Sequence, residues 1–157
     1  YASETTANQR QSYDSMGYTV PGSNQIDGIE VKIEASATTN AGEIWVALSW
    51  DGGTTITATT TTGTLTNTDT IYTLGGSSDL WGRVWSPADF SDANFRVRFI
   101  GQPSGGNTVQ IDAVTVRVHN STTGGGGGGR GEGRGVGVGA EEVVTPDGEH
   151  SGAHAAA

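Results

Sequence analysis

Period-two alternation of apolar and polar residues recurs along this chain and commits it to β-structure. Ile29, Val31, Ile33 and Ala35 alternate with Glu30, Lys32 and Glu34. Ile44, Val46, Leu48 and Trp50 fall in one phase of the next apolar stretch. Phe95, Val97 and Phe99 alternate with Arg96 and Arg98, which places two arginines on an outer face. Successive strand side chains point to opposite faces, so each stretch buries one side and wets the other. The phase slips in two places. Ile26 is out of step with Ile29 across Asp27-Gly28, and Val109 and Ile111 are out of step with Val114, Val116 and Val118 across Asp112-Ala113. A β-bulge at each slip puts every one of these residues in the core.

Turn signals separate the strands: Pro21-Gly22-Ser23-Asn24, Thr38-Thr39-Asn40-Ala41-Gly42, Asp51-Gly52-Gly53, Gly75-Gly76 and the stretch 101–107. Short strands with turns about every ten residues predict a β-sandwich. The expected fold is all-β: an antiparallel, jelly-roll-like sandwich over residues 16–120. A polar arm (1–15), or a strand completed by a neighbour, precedes it, and a glycine-rich extension (121–157) follows. Residues 16–20 read as a short strand. Residues 54–60 read as the return strand of a hairpin, inside a threonine-rich tract whose few apolar residues suit an edge or a wet face.

Residues 72–99 hold two of the four tryptophans and all three phenylalanines, and read as the packing centre. Trp50 and one of Trp81 or Trp85 are expected in the core. Ser86-Pro87-Ala88-Asp89 combines a capping serine, a proline at the first helical position and an acid at the third, which predicts about one turn of helix.

Composition narrows the function. Net charge is −9, which opposes non-specific binding to a phosphate backbone. Cysteine is absent, so there is no disulfide and no thiolate metal site. No apolar run reaches the ~20 residues of a membrane span. Tyr1 reads as the start of a mature product after cleavage, the other reading being a piece of a longer chain.

Each candidate site has a structural reading beside it. Ser49, Asp51, Gly53 and Thr55 fit the S-x-D-x-G-x-T pattern of the Asp-box hairpin, in which the aspartate caps turn amides. The loop aspartates serve as caps, and no cofactor is expected; a surface Ca2+ is the one metal they allow, although six to eight converging oxygens are needed. Trp45 lies opposite the Ile44 and Val46 phase, so it is the candidate for a surface contact with carbohydrate or protein. Asn120-Ser121-Thr122 is a glycosylation sequon at Asn120. His150 and His154 lack a third ligand. His119 has no nucleophile elbow near it in sequence. Glu30 and Glu34 read as a wet strand face rather than a glycosidase pair. The extension runs from Gly124 to Gly129 and then alternates glycine through Val136 and Val138, a pattern suited to close backbone contact in an assembly.

The segments IDGIEVKIEA, LGGSSDLWGRVWSPADFSDANFRVRF and VQIDAVTVRVHN resemble a β-sandwich module repeated in bacteriophage structural proteins and bacterial surface proteins. GGSSDLWG followed by a W-x-x-A-D step is the most specific part. The resemblance covers about residues 18–120 and implies an extracellular or virion setting and no catalytic residues. The expected function is therefore a non-catalytic structural subunit that self-assembles into a fibre, appendage or virion exterior, or decorates one. Its partners would be copies of itself or a virion or cell-surface scaffold, and not nucleic acid. The alternative is a carbohydrate-binding or adhesive module.

Overall fold

The computed structural model describes residues 2–4, 9–14, 16–123 and 142–144. Among the described residues there are nine strands: β1 (Ala2–Glu4), β2 (Gln9–Tyr13), β3 (Asn24–Ala37), β4 (Glu43–Ser49), β5 (Thr60–Thr61), β6 (Thr70–Gly75), β7 (Arg96–Gln102), β8 (Val109–Thr122) and β9 (Glu142–Val144). A 3-10 turn spans Pro87–Phe90, where the serine-proline signature places it.

The pairing has a simple logic. β1 pairs with β8, β2 with β7, β3 with β6 and β4 with β5, all antiparallel. That is the ladder of one long hairpin with its tip between β4 and β5. Rolling the hairpin brings β3 against β8 and β4 against β7. The result is two sheets, β1-β8-β3-β6 and β2-β7-β4-β5, which is jelly-roll wiring. β9 adds to β8 on the side away from β3, beyond the three residues taken by β1.

The alternating residues meet between the sheets. Ile29, Val31, Ile33, Val114, Val116 and Val118 from one sheet face Ile44, Val46, Leu48, Val97 and Phe99 from the other, and all are buried. Full burial of such a side chain is worth about 1.5–3 kcal/mol. Both phase slips are register shifts in the β3–β8 ladder, one between Ile26 and Gly28 and one opposite Asp112. They bring Ile26 and Ile111 into the core with the rest.

Three sequence expectations are corrected. Residues 16–20 form no strand. The chain crosses there from one sheet to the other with Gly17 at φ 64°, anchored by buried Met16 and by the Tyr18 hydroxyl, which donates to Val116 O at 2.9 Å. The N-terminal arm is not left for a neighbour to complete: β1 and β2 add an edge strand to each sheet of their own chain. Residues 54–60 do not form a continuous return strand. One bridge, Ser49 to Ile56, precedes the two-residue β5.

Threonine hydroxyls explain the broken strand. Leu48 N donates to Thr57 Oγ1 at 3.0 Å, and Thr57 Oγ1 donates to Ala58 O at 3.0 Å. Five residues on the device repeats: Ile44 N donates to Thr62 Oγ1 at 3.1 Å, and Thr62 Oγ1 donates to Gly63 O at 2.8 Å. Side-chain oxygens thus stand in for strand carbonyls along β4. Thr57→Val is expected to cost about 1–3 kcal/mol, because it strands the Leu48 amide in the core, whereas Thr57→Ser costs less. Urea denaturation of both variants measures it.

Loops gather at two ends. At one end, the segments 16–23, 50–59 and 76–95 meet around the aromatic residues. Trp85, Phe90 and Phe95 are buried with ring centroids 5.0–5.9 Å apart, and Tyr18 packs edge-on to both phenylalanines. Both Trp81 and Trp85 are core residues, while Trp50 is half-buried at the margin, the reverse of the order expected for Trp50. At the other end, the segments 38–42, 62–69 and 103–108 meet through hydrogen bonds: Leu65 N donates to Gly42 O, Asn67 N to Asn40 Oδ1 and Asn107 Nδ2 to Ala41 O.

The GGSSDLWG segment is a lock on β3. Ile29 O accepts both Gly76 N at 3.0 Å and Trp81 Nε1 at 2.9 Å, and Ile29 N donates to Asp79 O at 2.9 Å. Asp79 Oδ1 in turn accepts Trp81 N at 2.8 Å, holding Trp81 at a left-handed φ of 53°.

Candidate ligand-binding face

The β4 alternation decides what the outer face of the second sheet presents. With Ile44, Val46 and Leu48 inward, Trp45 and Ala47 point outward. Register sets Arg10 opposite Ile100, Ile100 opposite Trp45, and Trp45 opposite Thr61, so one row crosses all four strands. Ala47 is 0 % and Ile100 8 % exposed despite facing out, so neighbouring side chains cover them. Trp45 itself is half-buried.

Glu43 fixes this indole. Residues two apart on a strand share a face, and Trp45 Nε1 donates to Glu43 Oε1 at 2.6 Å. The other carboxylate oxygen accepts Thr61 Oγ1 at 2.6 Å, tying the edge strand into the same clamp. Charge-assisted bonds of this length are about twice as strong as neutral ones.

Beside the clamp, at the hydrogen-bonded end of the sandwich, lies an open cleft of about 310 Å³ lined by Gly42, Glu43, Thr64, Gln102, Pro103 and Ser104. Its walls come from three loops: Asn107 ties its own loop to residues 38–42, and the Leu65 amide, donating to Gly42 O, ties in the third. Asn107 is 3 % exposed; its Oδ1 accepts Thr38 Oγ1 at 3.0 Å and Thr39 Oγ1 at 2.5 Å, and its Nδ2 donates to Ala41 O at 2.9 Å. Gly42 sits at φ +84°, where a Cβ would lie 3.0 Å from Gln102 O. The sequence reading treats Asn107 only as the end of a turn. The signal available was its residue type, since asparagine often bonds loop backbone through its side chain.

The cleft offers amide, hydroxyl and carboxylate groups next to an indole, which is chemistry for a neutral polyhydroxylated ligand. Glu43 is the only acid among its lining residues, so it presents no carboxylate pair for glycoside hydrolysis.

The remaining candidates lie elsewhere. In the Asp-box turn, Ser49 Oγ donates to Asp51 Oδ1 at 3.0 Å and accepts Gly53 N at 2.9 Å, while Asp51 Oδ1 accepts Thr55 N at 2.8 Å. The Thr55 amide and hydroxyl hold the exposed Asp51 carboxyl below its usual range. Gly52 N donates to Asn94 O and Arg98 Nη2 to Gly53 O, so the turn is docked onto the aromatic end. Trp50 and Trp85 flank the Arg83 guanidinium at 4.0 and 4.5 Å, with Asp89 3.4 Å from it. Glu30 pairs with Lys32 at 3.3 Å. His119 stands opposite Gly28, and among the described residues its Nε2 meets no hydrogen-bond partner. Asn120 lies on β8 with its Oδ1 accepting Asn24 Nδ2 at 2.7 Å. Among the described residues no group of three or more histidine or acidic side chains is arranged to hold a metal ion. Gly124, Gly129, Val136, Val138, His150 and His154 lie outside the described residues.

One carboxyl is strained by its surroundings. Asp112, at the β8 bulge, is pushed above the ordinary aspartate value, first by burial, then by the charge and hydrogen bond of Asp69 and by the charge of Glu34. A raised carboxyl pKa means the folded state favours the protonated form. Its contribution to stability is therefore greatest below the unfolded value near 3.8 and is lost as pH rises through the folded value. Asp112→Asn is expected to raise the melting temperature at pH 7, with the difference from wild type shrinking as pH falls toward 4. Thermal melts from pH 3 to 8 check this.

No protein-family model matches the chain, and no match is found among curated proteins or solved structures.

Proposed function

We propose that this jelly roll is a non-catalytic structural subunit, assembling with its own copies or on a virion or cell-surface scaffold outside the cell. The observation that carries this reading is the placement of the terminal segments. β1 and β9 share one edge of β8, and β2 forms an edge of the second sheet. Edge strands are where one chain can extend the sheet of another. The resemblance of the GGSSDLWG segment to modules of phage and bacterial surface proteins points the same way. Electron microscopy and light scattering of the full chain over a concentration series test it. Ordered assemblies are expected; a monomer at every concentration refutes the reading.

A second reading is favoured by the Glu43–Trp45–Thr61 clamp beside its cleft: binding of a neutral glycan. Trp45→Ala is expected to remove at least tenfold of glycan affinity, about 1.4 kcal/mol, and to leave the far-ultraviolet circular dichroism unchanged. A glycan array that yields no ligand for the wild-type chain sinks this reading.

A further inference from the structure

Resting on the assembly reading above, we infer that the β8 edge at Val114, Thr115 and Val116 accepts the β9 strand of a second copy of this chain, in exchange for its own. β9 is held by three register positions, Val114 to Val144, Thr115 to Val143 and Val116 to Glu142, whereas β3 holds the other side of β8 along nearly its whole length. The β9 pairing is thus a small, separable increment on a sheet already closed by β3.

Chain length allows the exchange. β8 ends at Thr122 and β9 begins at Glu142. To pair at Val116, β9 returns six residues along β8, about 20 Å at strand spacing. The intervening residues 123–141 can reach at most about 65 Å, so the same edge of an adjacent copy lies within range. The three register pairs are the same whichever copy provides the strand, so exchange leaves the number of backbone pairs unchanged. Only effective concentration decides between the two. A tethered strand competes at roughly millimolar effective concentration, so dilute copies close on themselves. Copies packed in an array present each other's edges at a comparable level, and the strand crosses over.

The remainder of the acceptor edge is compatible with an incoming strand. β1 stops at Ile111, and the Asp112 bulge separates its site from that of β9. Among the described residues nothing pairs with residues 117–122 of β8 on this side.

Cysteine trapping tests the exchange, and the chain has no native cysteine to interfere. In full-length protein, the double variant T115C/V143C at low micromolar concentration is expected to form an internal disulfide. An equimolar mixture of T115C and V143C, concentrated or assembled, is expected to give a mixed disulfide dimer. It should form several-fold faster than that from I71C and V143C, Ile71 being exposed on β6 at the opposite edge of the same sheet. The inference is overturned if V143C traps I71C as readily as T115C. It is equally overturned if the double variant closes internally while the mixture gives no dimer at any concentration, or if neither crosslink forms. Assembly without the mixed disulfide rejects the exchange but leaves the structural-subunit reading standing. The mixed disulfide without ordered assemblies does the opposite.

Discussion

Gly75→Ala is expected to destabilise the protein by more than about 3 kcal/mol, a large share of the 5–15 kcal/mol typical of a domain. Two effects combine. Gly75 sits at φ +72°, a region that costs an L-residue roughly 1–2 kcal/mol. A methyl group there would lie 2.2 Å from Ile29 O and 2.6 Å from Trp81 Nε1. Those two atoms are bonded to each other and form the hinge of the GGSSDLWG lock, so relief of the clash breaks the lock. Gly82→Ala separates the two effects. Its φ is +76° but no atom lies within 4 Å of the added carbon, so only the conformational cost of about 1 kcal/mol remains. Urea midpoints of the pair decide the matter; equal losses would show that the contact between Gly75 and the indole carries nothing.

Trp85→Ala is expected to cost about 3–5 kcal/mol, the range for deleting a buried aromatic residue. Trp85 is 4 % exposed and its ring meets Trp50, Phe90 and Phe95 at 5.4–6.1 Å. Truncation also removes the hydrogen bond from Nε1 to Leu80 O and one of the two faces stacked on Arg83. Trp50→Ala removes the other face from a half-buried position, and roughly 1–2 kcal/mol is expected. A loss at Trp50 as large as that at Trp85 would contradict the placement of Trp85 at the centre.

The sequence displayed the sandwich because a strand buried on one face must alternate. Ile29 through Ala35 and Phe95 through Phe99 obey that rule, and even the two bulges were visible as slips in its phase. What it concealed was structure that does not depend on apolar side chains. Gln9–Tyr13 is an edge strand of largely polar residues, held by backbone pairing to β7. The threonine tract broke its ladder because hydroxyls took over the amides of Ile44 and Leu48, which β-propensity does not register. The Glu43 and Trp45 bond was within reach, since residues two apart on a strand share a face. The contribution of Thr61 to the same carboxylate was not, because it depends on a cross-strand register that only the folded ladder sets.

The nested hairpin also has a kinetic consequence. β4 and β5 close the shortest loop in the ladder, whereas β1 and β8 join residues more than a hundred positions apart. Closure entropy grows with that separation, and contacts of high sequence distance form slowly. The inner rungs can form early on local chain, while the outermost rung waits until the chain extends past Ile111. The same rung is three residues long and lies at the edge of its sheet, where low-stability local opening is expected in the native state. A chain emerging vectorially from its synthesis machinery would therefore hold its N-terminal strand unpaired until β8 arrives, leaving that strand free for another partner during the interval.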